Sequence, residues 1–346
     1  MARPVSNPPN PWRAAAQGGY EVEWLGEPPD ARVEVFEERA KSILARNDSP
    51  DVPFTWSVNP YRGCQHACAY CYARPGHEHL GFGAGTDFDT KIVVKVNAAE
   101  RLREALARKR VGRSEWIAFS GVTDPYQPLE ASYRLTRQCL EACLDFRRPV
   151  GLITKSALVR RDVDLLAELT RKAGARVFLS IPFADEANAR AVEPLGASPK
   201  LRFDALRALS DAGVPTGVSL SPMIPGLNDP DIPEVLERAR DAGATRAFMI
   251  LLRLPTSVRP VFEERLRERF PLRADKVLSQ LEACRVGQTS RASFGARMRG
   301  EGARWLAIRD LYELHARRLG FETSREEEVE PLTPHVPPGG EQLELF

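Results

Sequence analysis

A group of closely spaced cysteines is the first feature of the sequence that could do chemistry. Cys64, Cys68 and Cys71 lie within eight residues and form a Cys-x3-Cys-x2-Cys motif. Thiolates bind soft metals, and this spacing is too tight for three independent buried thiols. The motif therefore indicates three thiolates that converge from one loop on a single metal centre.

Three kinds of site are compatible with the motif. A zinc ion needs a fourth ligand, which one of three nearby histidines could supply: His66, His77 or His79. A redox pair would use only Cys68 and Cys71 and would leave Cys64 without a role. A [4Fe–4S] cluster normally takes four cysteines, so a cluster held by three would need an external ligand for its fourth iron. The residues alone leave these alternatives open.

The cysteine motif follows the first of six predicted strands. Apolar runs of strand length alternate with amphipathic helices after it, which is the pattern of a parallel sheet with right-handed crossovers. The predicted strands lie at 55–58, 116–119, 150–154, 176–181, 214–220 and 246–252. The predicted helices between them lie at 98–110, 135–146, 163–172, 201–211 and 232–241. Six strands are too few for a full eight-stranded barrel and indicate an α/β fold with an open barrel or a doubly wound sheet.

The chain divides into four predicted segments. Residues 1–53 comprise an arm that is rich in proline and a predicted helix at 33–46. Residues 54–255 are the core. Residues 256–322 are a helical extension, with helices near 261–270, 274–284 and 302–318. Residues 323–346 are rich in Pro and Glu and form a predicted disordered tail.

Composition excludes some classes of protein. The 49 basic and 47 acidic residues give a formal charge of +2, which excludes binding of nucleic acid by bulk charge alone. No run approaches the ~20 apolar residues of a membrane helix, and residues 1–17 lack the apolar stretch of a signal peptide. We therefore predict a cytoplasmic protein with no membrane partner, in which the six cysteines are poor candidates for disulfides.

The cysteine motif, with Tyr70 just before its last cysteine and a strand before it, resembles that of the radical S-adenosylmethionine (SAM) enzymes. In that family three thiolates hold a [4Fe–4S] cluster, and the amino and carboxylate groups of SAM bind the fourth iron. Electron transfer cleaves the sulfonium and releases a 5′-deoxyadenosyl radical, which abstracts a hydrogen atom. The resemblance implies a partial (β/α)6 radical SAM barrel over the core and an electron donor such as flavodoxin or ferredoxin.

Further stretches resemble the branch of the family that is related to spore photoproduct lyase. Most of them lie at the ends of predicted strands: residues 120–130, 154–156, 161–162, 179–181, 193–194, 202 and 221–229. The photoproduct lyases place a hydrogen-donating cysteine after the second strand, whereas residues 120–124 contain none. Cleavage of the spore photoproduct itself is therefore not expected.

Polar residues of these stretches are the candidate SAM contacts, because loops that follow parallel strands face a shared cavity. Lys155 could pair with the α-carboxylate as a point charge, and the backbone at 120–123 could bind the α-amino group. The candidate cofactor-binding residues are Tyr70, Ser120, Thr123, Asp124, Lys155, Ser180 and Arg202. Tyr72, directly after the last motif cysteine, is the candidate catalytic residue as a hydrogen-atom relay, with packing on the cofactor as the alternative.

Two features of the C-terminal part predict a nucleic-acid substrate, DNA or RNA. Residues 285–304 contain five arginines and one glutamate. This excess of positive charge suits contact with phosphates. The last five residues resemble the peptide by which bacterial DNA-repair proteins dock on the sliding clamp, with Glu as a departure at the middle position: Gln342, Leu343, Glu344, Leu345 and Phe346. The sequence thus favours a DNA-repair enzyme resembling the lyases. The alternatives are radical modification of tRNA or of a protein side chain, and a non-catalytic zinc-binding adaptor.

We expect a peptide of the last ~15 residues to bind the bacterial sliding clamp by itself, with modest affinity because the tail must be ordered on binding. Leu345 and Phe346 should be the anchors, since apolar burial dominates small interfaces. Replacing both by Ala should abolish binding, measured as the fluorescence anisotropy of the labelled peptide. Absence of binding by the wild-type peptide at micromolar concentration would contradict the prediction.

Overall fold

A computed structural model of the chain describes residues 32–52, 54–108, 112, 115–285 and 299–323. Most of the predicted N-terminal arm and the predicted tail lie outside the described residues. The candidate clamp-binding residues Gln342, Leu343, Leu345 and Phe346 belong to this undescribed part, so their role stays a prediction.

The strands form two sheets. In chain order they are β1 (Glu34–Glu38), β2 (Leu44–Arg46), β3 (Trp56–Val58), β4 (Tyr61–Arg62), β5 (Lys91–Lys95), β6 (Ile117–Phe119), β7 (Val150–Thr154), β8 (Ala175–Ser180), β9 (Thr216–Ser219), β10 (Arg246–Phe248) and β11 (Glu322–Thr323). The larger sheet has the order β11-β10-β9-β8-β7-β6-β3-β2, and the smaller one has the order β1-β5-β4.

Helices connect the strands. They are α1 (Pro75–Glu78), α2 (Thr86–Thr90), α3 (Ala98–Ala107), α4 (Glu130–Tyr133), α5 (Leu135–Asp145), α6 (Val163–Lys172), α7 (Glu186–Val192), α8 (Pro199–Asp211), α9 (Ile232–Asp241), α10 (Val258–Arg269), α11 (Ala274–Ala283) and α12 (Gly302–Arg318), with 3-10 turns at Ala157–Asp162 and Asp229–Asp231. None of the helices in the described part of the chain is long and apolar enough to cross a membrane.

Six neighbouring strands of the larger sheet, β3 and β6 to β10, pair in parallel. They correspond to the six predicted strands, and the helices between them are α3, α5, α6, α8 and α9. The prediction of an α/β fold with a partial, open barrel is confirmed, because the sheet ends at β2 and β11 without closing. Strand β2 adds to one edge in antiparallel orientation and β11 adds to the other in parallel.

The alternation of side chains along the central strand shows why these sequences form this sheet. In β7, Val150, Leu152 and Thr154 are buried, while Ile153 points to the opposite face and is 37% exposed. Val150 and Leu152 pack into a hydrophobic core that also contains Leu166 of α6. One face of the sheet thus lies under the helices, and the other lines the open interior of the barrel.

The predicted helix at 33–46 is wrong. Residues 34–38 form β1, which pairs in parallel with β5, and residues 44–46 form β2, which pairs with β3. Asn97 holds the segment between them, because its side chain accepts a hydrogen bond from Ala40 N–H at 2.8 Å and donates to Ala40 O at 3.0 Å. The apolar spacing suits a helix, but pairing with a distant strand determines the structure.

The loop that carries the cysteines turns sharply where it leaves β4. Gly63 has a φ of +77°, and a Cβ there would lie 3.0 Å from the carbonyl oxygens of Phe88 and Lys91, so no other residue fits without movement of this backbone. Gln127 fixes the next residues, since its side chain donates to Gly63 O at 3.2 Å and accepts from Gln65 N–H at 3.1 Å. The loop after β6 thus supports the cysteine loop.

A buried arginine holds the other end of the cysteine loop. Arg74 has no exposed surface, and its guanidinium donates to Cys68 O at 2.9 and 3.1 Å, to Ala84 O at 2.8 Å and to Gly85 O at 2.9 Å. It also pairs with Asp89 at 2.8 Å. Five hydrogen bonds from one planar group bring together the backbone at Cys68, the backbone at Ala84 and Gly85, and the side chain of Asp89 in α2.

We expect Arg74→Lys to lower the free energy of unfolding by about 2–4 kcal/mol, because an ammonium cannot replace the fork and leaves buried carbonyls without donors. The measurement is urea unfolding of the metal-free chain. Arg103→Lys is the matched control, since Arg103 pairs with Asp145 at 3.2 Å on the surface and its replacement should change stability by less than about 0.5 kcal/mol. Equal stability of the two variants would contradict this role for Arg74.

Candidate active site

The three motif cysteines lie on one loop between β4 and α1. Cys64 and Cys68 are buried, Cys71 is half-buried, and all three are free thiols. The loop is anchored by hydrogen bonds from Cys64 N–H to Phe88 O at 2.9 Å and from Ala69 N–H to Val192 O at 2.9 Å. The structure therefore carries the three thiols on one anchored loop, and their binding of a metal centre stays a prediction.

Burial and neighbouring charges change the pKa values of the motif thiols. Burial raises the pKa of the Cys68 thiol, with Glu193 and the other two cysteines adding to the effect. Burial and Cys64 raise the pKa of Cys71 to about 11. Reactive thiols of redox pairs have lowered pKa values, so the redox alternative gains no support. Thiols of this kind bind a metal centre with release of their protons.

The three histidines near the motif lie in different environments. In the described ranges, no three His, Cys, Asp or Glu side chains, the motif cysteines included, are grouped so that they could hold a metal ion. His66 faces Asp124. His77 packs between the rings of Phe82 and Phe88, with centroids 5.1 and 5.5 Å away, and His79 is exposed. A cluster takes its thiolates on different irons, so that alternative needs no histidine ligand from this loop.

Tyr70 connects the cysteine loop to a buried ion pair. Its hydroxyl donates to Glu193, which also pairs with Arg202. Burial raises the pKa of Glu193, and the guanidinium of Arg202 opposes this rise. Arg202 also donates to Ser180 O and to Ala197 O, each at 2.8 Å. Arg202 therefore contacts Tyr70 indirectly, through Glu193, and its contact with SAM stays a prediction.

Asp124 joins three elements around the cysteine loop. One of its oxygens accepts from the Thr154 hydroxyl at 2.6 Å, and the other accepts from Lys155 N–H at 2.7 Å. His66 Nδ1 lies 3.3 Å from the second oxygen. Burial alone would raise the pKa of Asp124, but His66 and these donors lower it to about 2. Burial alone would lower the pKa of His66, but Asp124 and Cys64 raise it to about 10.

Lys155 brings positive charge to the thiols. Its Nζ lies 5.7 Å from the centroid of the Tyr70 ring, and its charge lowers the pKa of both Cys68 and Cys71 against the effect of burial. The backbone of Lys155 is held by Asp124, so the side chain leaves the end of β7 in a defined direction. The structure thus places Lys155 next to the candidate cluster ligands.

The remaining candidate SAM contacts lie at the ends of β6 and β8. Ser120 has a φ of +115°, which is strained for a residue with a side chain. Thr123 is buried, with its hydroxyl 3.5 Å from Tyr61 O. Ser180 is buried and donates to Ser221 O at 3.0 Å. The structure brings these residues to the same edge as the cysteines, and their contact with SAM stays a prediction.

Tyr72 lies on the solvent side of the cysteine loop. Its side chain is 54% exposed, whereas that of Tyr70 is buried. The Tyr72 hydroxyl donates to Gly121 O at 2.8 Å. Tyr72 is thus held beside the loop that follows β6, and its catalytic role stays a prediction.

The arginines at the two ends of residues 285–304 have partners inside the fold. Arg285 is buried and donates to Leu251 O and Leu252 O at 3.2 and 2.8 Å, and Arg304 pairs with Asp229. Residues 286–298 lie outside the described ranges. These two arginines therefore serve the fold, and phosphate contact by the rest of the segment stays a prediction.

Sequence reasoning missed the residues that position the site. Arg74 and Gln127 act through the backbone of the cysteine loop, and Glu193 acts through Tyr70. Arg74 precedes Pro75 and Gly76, and nothing in the sequence around it indicates that this arginine is buried and not on the surface. For Glu193, the resemblance of residues 193–194 to the lyase branch was a signal, but it did not indicate the ion pair with Arg202.

Comparison with known proteins agrees with this geometry. The model of the Radical SAM superfamily matches residues 58–239, which is more than half of the chain. The matched range contains the three cysteines and every candidate SAM contact. The family assignment therefore covers the site as well as the sheet.

Two relatives are informative. An uncharacterized protein of Mycobacterium tuberculosis is 39% identical over 213 residues, which cover 61% of this chain and 62% of that protein. The chain thus spans about three fifths of the length of this relative. A protein of Pseudomonas phage M6 named radical SAM Nalpha-GlyT isomerase is 27% identical over 227 residues, which cover 65% of this chain and 45% of that protein.

Among solved structures, spore photoproduct lyase complexed with dinucleoside spore photoproduct has a similar fold. The TM-score is 0.59 at 15% sequence identity, and the match covers 87% of each chain. This likeness extends the agreement in fold beyond the range of the family model. On the family match, the cysteine loop and the parallel sheet that carries it, the chain belongs to the radical SAM superfamily of enzymes.

Proposed function

We propose that the chain binds a [4Fe–4S] cluster through Cys64, Cys68 and Cys71, cleaves SAM reductively and acts on nucleic acid. The observation that carries the proposal is the position of three thiols, two buried and one half-buried, on one loop at the carboxyl ends of the parallel strands, with Lys155 close to the Tyr70 ring. When bound, the cluster and SAM would supply one electron and a 5′-deoxyadenosyl radical for abstraction of a hydrogen atom. The electron would come from a donor of the flavodoxin or ferredoxin class.

The residues of this chain would bind and orient the two groups. The thiolates of the cysteine loop would hold the cluster, and Arg74 keeps that loop in place through Cys68 O. The ammonium of Lys155 would pair with the SAM carboxylate. Ser120 and Thr123 would receive the amino group at the end of β6, while Asp124 holds the backbone of Lys155 and thereby orients its side chain.

A nucleic-acid substrate is favoured by what similar proteins bind and by the C-terminal motif. The spore photoproduct lyase of similar fold is complexed with a dinucleoside, and residues 342–346 resemble a peptide that docks on the sliding clamp. The described part of the chain has no cysteine after β6 in the place of the lyase hydrogen donor, and Cys139 and Cys143 are fully buried in α5. We therefore propose a nucleic-acid reaction that differs from repair of the spore photoproduct.

We expect the anaerobically reconstituted wild-type chain to form 5′-deoxyadenosine with dithionite, and to form it faster when DNA or RNA is added. Cys64→Ala, Cys68→Ala and Cys71→Ala should each lose iron and this activity, because each removes one ligand. Cys143→Ala is the matched control and should keep both, since Cys143 is buried in α5 away from the loop. The measurements are iron per chain and product by mass spectrometry.

Several results would contradict this proposal. Iron retained in the Cys68→Ala variant would refute the three-ligand assignment. A colourless wild-type chain with bound zinc would instead favour the zinc-binding adaptor. Stimulation by a protein, and by neither DNA nor RNA, would contradict a nucleic-acid substrate and favour modification of a protein side chain. Stimulation by tRNA and not by DNA would contradict a DNA-repair reaction and favour modification of tRNA.

We expect Lys155→Ala to keep its iron but to bind SAM about tenfold more weakly or worse, because one charge-assisted hydrogen bond contributes about 1.5–3 kcal/mol. The dissociation constant is measured by equilibrium dialysis of the reconstituted chain. Lys172→Ala is the control, since Lys172 pairs with Glu168 on the surface. An unchanged dissociation constant in the Lys155 variant would show that this side chain does not contact SAM.

A further inference from the structure

An exposed tyrosine and an arginine lie close together near the cysteine loop. Tyr72 is held by its hydrogen bond to Gly121 O, and the Arg253 Cζ atom lies 6.0 Å from the centroid of the Tyr72 ring. A ring with a guanidinium near its face is a stable pair. Because Tyr72 is 54% exposed, much of its surface remains open to another molecule.

The pair joins the two ends of the parallel set of strands. Tyr72 lies on the cysteine loop between β4 and α1, and Arg253 lies five residues after the end of β10. Four strands separate β3, which precedes the cysteine loop, from β10 in the larger sheet. The contact therefore brings the cysteine loop to the segment that follows the last strand of the parallel set.

Arg253 is held by its neighbours in the chain. Leu252 N–H donates to Met223 O at 2.9 Å, and Leu252 O accepts from Arg285 at 2.8 Å. Arg285 is itself only 1% exposed. The backbone before Arg253 is thus fixed on both sides, which anchors the Cα from which the guanidinium reaches the Tyr72 ring.

The loop beside the pair leaves room for a ligand. Gly121 has a φ of +146°, and a Cβ built on it would meet no atom within 4 Å. Val122 is 40% exposed, and its N–H donates to Asn59 Oδ1 at 3.1 Å. The strained Ser120 precedes them. A strained and anchored loop next to an exposed ring is typical of a surface that binds a ligand.

We propose that Tyr72 and Arg253 form a platform for one nucleotide of the substrate, with a base stacked on the Tyr72 ring and a phosphate bound by Arg253. The proposal rests on the proposed nucleic-acid function and names the surface that binds it. A planar ring accepts any base face, and a guanidinium matches phosphate oxygens in a bidentate manner. The open surface at Gly121 would lie beneath the sugar.

The test is binding of a fluorescein-labelled thymidine decanucleotide to the reconstituted full-length chain, measured by anisotropy at 50–200 mM KCl. Tyr72→Leu should weaken binding about fivefold or more, and Tyr72→Phe should stay within about threefold of wild type, because stacking needs the ring and not the hydroxyl. Arg253→Gln should weaken binding and reduce the slope of log affinity against log salt by about 0.7. Iron content and thermal unfolding verify each variant.

Two variants serve as matched controls. Tyr133→Leu removes a tyrosine whose hydroxyl is bound to Glu37 at 2.8 Å, and Arg238→Gln removes an arginine stacked on Phe203 at 4.3 Å. Both lie outside the Tyr72 and Arg253 pair and should bind the probe like wild type. The platform is overturned if Tyr72→Leu binds like wild type, or if Tyr72→Phe is as weak as Tyr72→Leu. Failure of the proposed function would appear in the wild-type chain itself, as 5′-deoxyadenosine formation without binding of the probe.

Discussion

The candidate site depends on side chains that donate hydrogen bonds to the backbone carbonyl groups of the cysteine loop. This loop has no ladder of its own, and buried carbonyl groups without a partner are costly. Arg74 supplies donors to Cys68, Ala84 and Gly85, and Gln127 supplies one to Gly63. The geometry of the thiols is therefore set by side chains from outside the motif.

Buried charges connect this loop to the ends of the strands. Glu193 is paired with Arg202, and Asp124 faces His66 while it binds the backbone of Lys155. Each pair places one member next to the candidate site and the other in the surrounding fold. Buried charge is tolerated because it is paired, so removal of one partner would disturb both the local fold and the site.

The sequence predicted the central sheet because the strands at 150–154 and 214–220 are apolar and because glycines follow the helices between them. The prediction of a helix at 33–46 was wrong, because β1 forms by pairing with β5. Strand β5 lies far along the chain from β1, so no local pattern indicates this pairing. The cysteines were predictable because ligand spacing is a local property. Arg74 and the contact between Tyr72 and Arg253 were not, because they depend on how distant segments meet.

The incomplete barrel has a topological consequence. In the described residues, the larger sheet ends at β2 and β11 and does not close into a ring. A closed barrel has no edge strands, whereas this sheet has two, and the unpaired backbone groups of an edge strand can pair with another sheet. Strand β2 has three residues and β11 has two, so each edge offers few such groups. Short edge strands of this kind disfavour association of one sheet with another.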